Sequence, residues 1–157
     1  MSMKVKNHAT TLFLIFAGCL GPSVARADDL ADVTAANNAF YAALSARDVD
    51  MLAKVYAHDP YIANVAPGSG ALEIGWPGVE KWAKSLSADF KDLVVAPSEL
   101  HAHVNGNTAW LVNTEHAKGT LVKTGAAFEA TLVSTNIYEK QGNVWLMVSH
   151  QAQGIPK

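Results

Sequence analysis

Leu30, Val33, Phe40 and Leu44 recur at helical spacing, with Ala36, Asn37 and Ala43 between them, and predict an amphipathic helix from Asp28. Met51, Leu52, Val55 and Tyr56 continue the pattern in a second helix. That helix should end near Ala57-His58-Asp59-Pro60, because Pro60 disfavours helical geometry at Asp59. The two helices meet at Ala46-Arg47-Asp48 with almost no loop between them. Asp48 suits the N-cap of the second, since its carboxylate can accept from backbone N–H groups that have no partner in the first turn.

The pattern then changes. Tyr61 to Val65 reads as a short strand, and Ala66 to Gly75, which holds Pro67, Gly68 and Gly70, as a loop. Pro77 fits the first position of a third helix, whose apolar face is Val79, Trp82, Ala83, Leu86 and Phe90. Four strands follow, at Leu93–Asn105, Asn107–Thr120, Ala126–Lys140 and Val144–Gln153. Asn105-Gly106-Asn107 and Gln141-Gly142-Asn143 supply the residues that tight hairpins need. The order α-α-β-α-β-β-β-β predicts an α+β fold with an antiparallel sheet curled against helices.

Residues 1–27 have a different composition. Lys4 and Lys6 precede the apolar run Thr11 to Leu20, which is too short to span a bilayer as a helix. Ala25-Arg26-Ala27 offers small residues at both positions that a signal peptidase reads. The expectation is an exported protein, periplasmic or secreted, cleaved after Ala27, with one domain over residues 28–157. The alternative is a lipoprotein acylated at Cys19, since Phe16-Ala17-Gly18-Cys19 resembles a lipobox. No stable membrane span is expected after cleavage.

Cleavage changes the charge as well. The full chain has 12 Lys and Arg against 14 Asp and Glu, and Lys4, Lys6 and Arg26 leave with the leader. The remaining acidic domain has no basic cluster, which argues against nucleic acid as a partner. It also has no cysteine, so thiol chemistry is excluded and stability must come from packing. No Gly-rich phosphate loop, Walker-type sequence or Gly-x-Ser-x-Gly elbow is present, and no cofactor or metal is expected.

Several segments together resemble the nuclear-transport-factor-2-like (NTF2-like) superfamily, in its SnoaL-like and ketosteroid-isomerase-like branch. They are Phe40-Tyr41-Ala42-Ala43-Leu44 with Ala46-Arg47-Asp48, Tyr56-Ala57-His58-Asp59-Pro60, Gly75-Trp76 and Phe90-Lys91-Asp92-Leu93. The C-terminal half adds Gly106-Asn107-Thr108-Ala109-Trp110, Thr135-Asn136-Ile137-Tyr138-Glu139 and Trp145-Leu146-Met147-Val148-Ser149-His150. The resemblance implies a cone of curved sheet closed by three helices, an α+β roll with a pocket at its wide end. It also implies a homodimer formed through the sheet. The family's isomerases use a carboxylate base, a tyrosine and a protonated aspartic acid. By motif, these positions fall at Asn64, at Phe40 next to Tyr41, and near Thr135 or Asn136. Phe40 has no hydroxyl and Asn64 is no base at neutral pH, so the resemblance implies this scaffold without that set of groups.

The remaining candidates follow from residue chemistry. His150 is the candidate general base, as the side chain that titrates nearest neutrality, provided that it faces the pocket. Successive strand residues face opposite ways, so Ser149 and Gln151 then face the other side. Tyr41 and Asn136 are candidate donors, and Asn64, His116 and Gln151 are further candidate ligand contacts. Trp76 lies where a loop could overhang the pocket mouth. Glu99, His101 and His103 share one strand face but more plainly point to water. Two readings stand: a domain that binds a small apolar or aromatic molecule, with an isomerase, lyase or hydrolase step left open, or a non-catalytic dimeric association module.

Overall fold

The computed structural model describes residues 27–67 and 71–155. The expected leader up to Arg26, with Cys19, and Gly68 to Gly70 of the expected loop lie outside the described residues. Helix α1, Ala27–Ala46, buries Val33, Asn37, Phe40, Tyr41 and Leu44 along one stripe. Its end is a Schellman turn: Arg47 adopts φ +54°, its N–H donates to Leu44 O (3.0 Å), and Asp48 N–H donates to Ala43 O (3.2 Å). Asp48 then caps α2, Val49–Val55, by accepting from Met51 N–H at 3.0 Å. One residue thus ends one helix and starts the next. Helix α2 stops at Val55, two residues short of the expected segment, because Tyr56 leaves helical geometry and bridges to Met147.

Two short strands, β1 (Ala63–Val65) and β2 (Glu73–Ile74), pair antiparallel, so the expected loop holds a strand that its composition does not reveal. Helix α3 spans Gly75–Asp89 and buries Val79, Ala83 and Leu86. Phe90, expected on its apolar face, instead opens strand β3, Phe90–Asn105. Strands β4 (Thr108–Leu121), β5 (Ala127–Gln141) and β6 (Val144–Gly154) complete the set. Gly106 and Gly142 take φ +59° and +64° in the two tight hairpins.

The sheet order is β2-β1-β6-β5-β4-β3. Pairing from β3 to β6 is antiparallel, as the sequence predicts, but β1 runs parallel to β6 and makes the sheet mixed. The three helices pack on one face of this curved, open sheet, with Phe40, Leu52, Tyr56, Leu111, Tyr138 and Met147 fully buried between the layers.

Register decides which side chains meet there. In β4, Ala109, Leu111, Asn113, Glu115 and Ala117 face the helices, and in β5 Leu132, Ser134, Asn136 and Tyr138 do. In β6, Trp145 and Met147 face inward. Strict alternation from them would point Ser149 and Gln151 inward and His150 out. The ladder instead shifts between Ile137 and Tyr138: Tyr138 pairs with Met147, and Ile137 with Ser149. Val148 is the extra residue of this bulge, and it reverses the phase of everything after it. His150 and Ala152 therefore face the core, and Gln151 faces out.

Candidate functional site

Helices α1 and α3 and strands β3 to β6 line an open-mouthed cavity of about 370 Å³. Its walls are almost all apolar, including Leu44, Trp82, Leu86, Leu93, Val95, Ala117, Phe128 and Leu132. Two titratable side chains line it among the described residues, Glu115 from β4 and His150 from β6. Both are nearly inaccessible to bulk solvent, at 3% and 2% relative exposure. An outer recess of 670 Å³ shares Pro67, Trp82, Leu86, Phe90 and Phe128 with the cavity, and the edge-to-face pair Phe90–Phe128 stands where the two meet.

Behind these two groups lies a buried polar cluster. Tyr41, from α1, donates its hydroxyl proton to Glu115 Oε1 at 2.7 Å. It accepts from Asn113 Nδ2 at 2.9 Å and Asn136 Nδ2 at 3.1 Å, with Ser134 Oγ at 3.1 Å. Burial and the Glu115 charge push the Tyr41 phenol well above its ordinary range, so it keeps its proton. Asn136 Nδ2 also donates to Asn37 Oδ1 at 2.8 Å, which in turn accepts from Tyr138 Oη at 3.2 Å. His150 Nδ1 lies 2.7 Å from Asn136 Oδ1. Its ring packs against Phe40 and Trp82, at centroid distances of 4.9 and 6.3 Å. Burial lowers the His150 pKa, and the Glu115 carboxylate opposes that shift in part. The imidazole is therefore neutral near pH 7.

Of the residues singled out from the sequence, His150 lines the cavity, while Tyr41 and Asn136 stand one hydrogen bond behind its wall. Four others do not line the cavity. Asn64 has both ends of its amide engaged: it accepts from Tyr56 Oη (3.1 Å) and donates to Glu73 Oε2 (3.2 Å), tying β1 to its neighbours. Trp76 stacks on His58 at 4.6 Å and an interplanar angle of 4°, and it lines neither the cavity nor the outer recess. His116 is exposed on the outer face of β4, next to Ser98 Oγ at 3.0 Å, because its neighbour Glu115 holds the inward position. Gln151 is exposed because the Val148 bulge turns it outward.

Glu115 is the residue that sequence reasoning missed. It shares a phase with Ala109, Leu111 and Ala117, but Trp110 and Val112 make the opposite phase equally apolar, so alternation in β4 does not select a face. A second bulge, at Glu99 (φ +51°), interrupts β3 between Ser98 and His101. Among the described residues, no three His, Cys, Asp or Glu side chains cluster as metal ligands would.

A family model for the SnoaL-like domain matches residues 33–154, which include every element of the cone except the start of α1. The chain belongs to the SnoaL-like domain family. Solved structures named as NTF2-like share the fold of this SnoaL-like domain. A proposed dehydratase of the NTF2-like family from Streptomyces avermitilis superposes with a TM-score of 0.74 at 22% identity, over 83% of this chain and 99% of that one. Hexachlorocyclohexane dehydrochlorinase LinA-type3 from Novosphingobium barchaimii gives 0.70 at 16%, over 80% and 86%. A proposed calcium/calmodulin-dependent protein kinase II association domain from Thiobacillus denitrificans gives 0.67 at 24%, over 78% and 94%. At these identities the likeness establishes the fold of the SnoaL-like domain alone. No curated protein matches its sequence.

Proposed function

We propose that residues 28–157 form an exported domain that binds a small, largely apolar or aromatic molecule in the cone cavity, with His150 as a general base. One observation carries this reading: two titratable side chains, Glu115 and His150, stand on the wall of an otherwise apolar cavity. A neutral imidazole can take a proton from a bound molecule, and the Glu115 carboxylate favours the imidazolium that results. Proton removal of this kind begins an elimination or an isomerisation. The names of two structural neighbours, a proposed dehydratase and a dehydrochlorinase, fit the first of these. Neither Lys nor Arg lines the cavity among the described residues, so a carboxylate ligand would meet Glu115 with no counter-charge. The reading therefore favours uncharged ligands.

The association reading has its own support. Trp110 and Val133 are exposed on the outer face of the sheet, opposite the cavity. We infer a homodimer formed through this face, which leaves the cavity of each copy open. The test of the main reading is a thermal-shift screen with steroids, polyketides and paired aromatic alcohols and acids, on wild type and His150→Ala. Uncharged compounds should stabilise both proteins, and turnover of any substrate found should need His150. If no compound stabilises wild type, the binding reading fails.

A further inference from the structure

Glu115, Tyr41, Asn136 and His150 form an unbroken chain of hydrogen bonds, and each link fixes the direction of the next. An ionised carboxylate only accepts, so the 2.7 Å contact to Glu115 uses the single proton of the Tyr41 hydroxyl. Tyr41 Oη must then accept from its other neighbours, and Asn136 meets it with Nδ2. The same nitrogen gives its second proton to Asn37 Oδ1. Asn136 is left presenting Oδ1 to His150 Nδ1 at 2.7 Å, and an amide oxygen only accepts. Nδ1 must carry the imidazole proton. Nε2 then holds the lone pair, and among the described residues nothing hydrogen-bonds to it.

We propose that Tyr41 and Asn136 are positioning residues that transmit the charge of Glu115 to His150 and hold its imidazole as the Nδ1–H tautomer, leaving Nε2 as the basic atom on the cavity wall. A histidine tautomer is set by what its other nitrogen bonds. Here that choice is made three hydrogen bonds away, by a carboxylate that does not touch the ring's bonded nitrogen. Phe40 and Trp82 pack on the ring and offer no hydrogen-bond acceptor to Nδ1, so the choice reaches the ring through Asn136. The same chain puts the charge that supports an imidazolium on the wall that a substrate would touch. The proposal deepens the reading of His150 as a base, but the tautomer is a property of the ligand-free protein and is measured without a ligand.

The experiment is ¹⁵N NMR of imidazole-labelled full-length protein at neutral pH, for wild type, Tyr41→Phe and Asn136→Leu. Wild type should show the Nδ1–H form in roughly tenfold excess or more over the other tautomer. Asn136→Leu removes the acceptor and should move signal into the Nε2–H form, whereas Tyr41→Phe removes one of the two bonds that orient the amide, the other being to Asn37 Oδ1, and should move a smaller share. A wild-type spectrum dominated by Nε2–H overturns the proposal whether or not either variant folds. So does an unchanged tautomer in a folded Asn136→Leu protein. Failure of every compound in the binding screen would remove the base role and leave the tautomer result standing.

Discussion

The Tyr41 hydroxyl is where Glu115, Asn113, Ser134 and Asn136 converge, so its removal is not a local change. Tyr41→Phe should lower unfolding stability by about 1–3 kcal/mol in urea titration, because it strands buried polar groups instead of deleting a whole pair. His150 makes a prediction in pH. Burial holds its folded pKa below the ordinary value of about 6.5 at which the unfolded chain titrates. Above that pH both states are neutral at this site. Below it the unfolded chain takes up a proton that the folded chain refuses, so stability should fall as the solution is acidified. Urea midpoints compared at pH 7.5 and 5.5 should drop for wild type and drop less for His150→Gln. At this scale the sequence revealed residue types but not partners. Tyr41, Asn136 and His150 were legible as candidates, whereas their connection runs between α1, β5 and β6 through Glu115, and no spacing along the chain encodes it.

The elements were legible wherever a local signal exists. The α1–α2 junction depends on Asp48, and Asp48→Ala should destabilise by about 1 kcal/mol while Asp48→Asn retains most of the cap. The hairpins at Gly106 and Gly142 were equally plain. Bulges were not, because one inserted residue leaves the composition of a strand unchanged. In β6 that residue is Val148, and its exclusion from the ladder keeps His150 facing the cavity. Deleting Val148 should remove the bulge yet keep Ser149 opposite Ile137 and His150 opposite Asn136, so His150 should stay on the cavity side and keep its lowered pKa, which NMR titration of the imidazole would check. A tighter constraint sits in β4. A Cβ on Gly119 would lie 2.2 Å from Asp92 O, where β3 and β4 shift register, so Gly119→Ala should lower the melting temperature by displacing that backbone.

At the scale of the whole molecule, the order of helices and strands predicted a sheet curled against helices, the family resemblance implied the cone and its pocket, and the family match agrees with that resemblance. It could not predict that the pocket would hold a carboxylate and a histidine on an apolar wall. The outer face adds a prediction of its own: sedimentation velocity should give a dimer for wild type and a shift toward monomer for Trp110→Glu, whose new charge lies on the exposed sheet. The central claim concerns the cavity, and a crystal structure of the protein with the most stabilising compound from the screen tests it most directly. At a hundredfold excess over Kd, such a compound should stabilise the fold by about 2.7 kcal/mol. The account predicts density inside the 370 Å³ cavity, with a polar atom of the ligand within hydrogen-bond distance of His150 Nε2. Density confined to the outer sheet face or to the recess beyond Phe90 and Phe128, with the cavity unaltered, would contradict it.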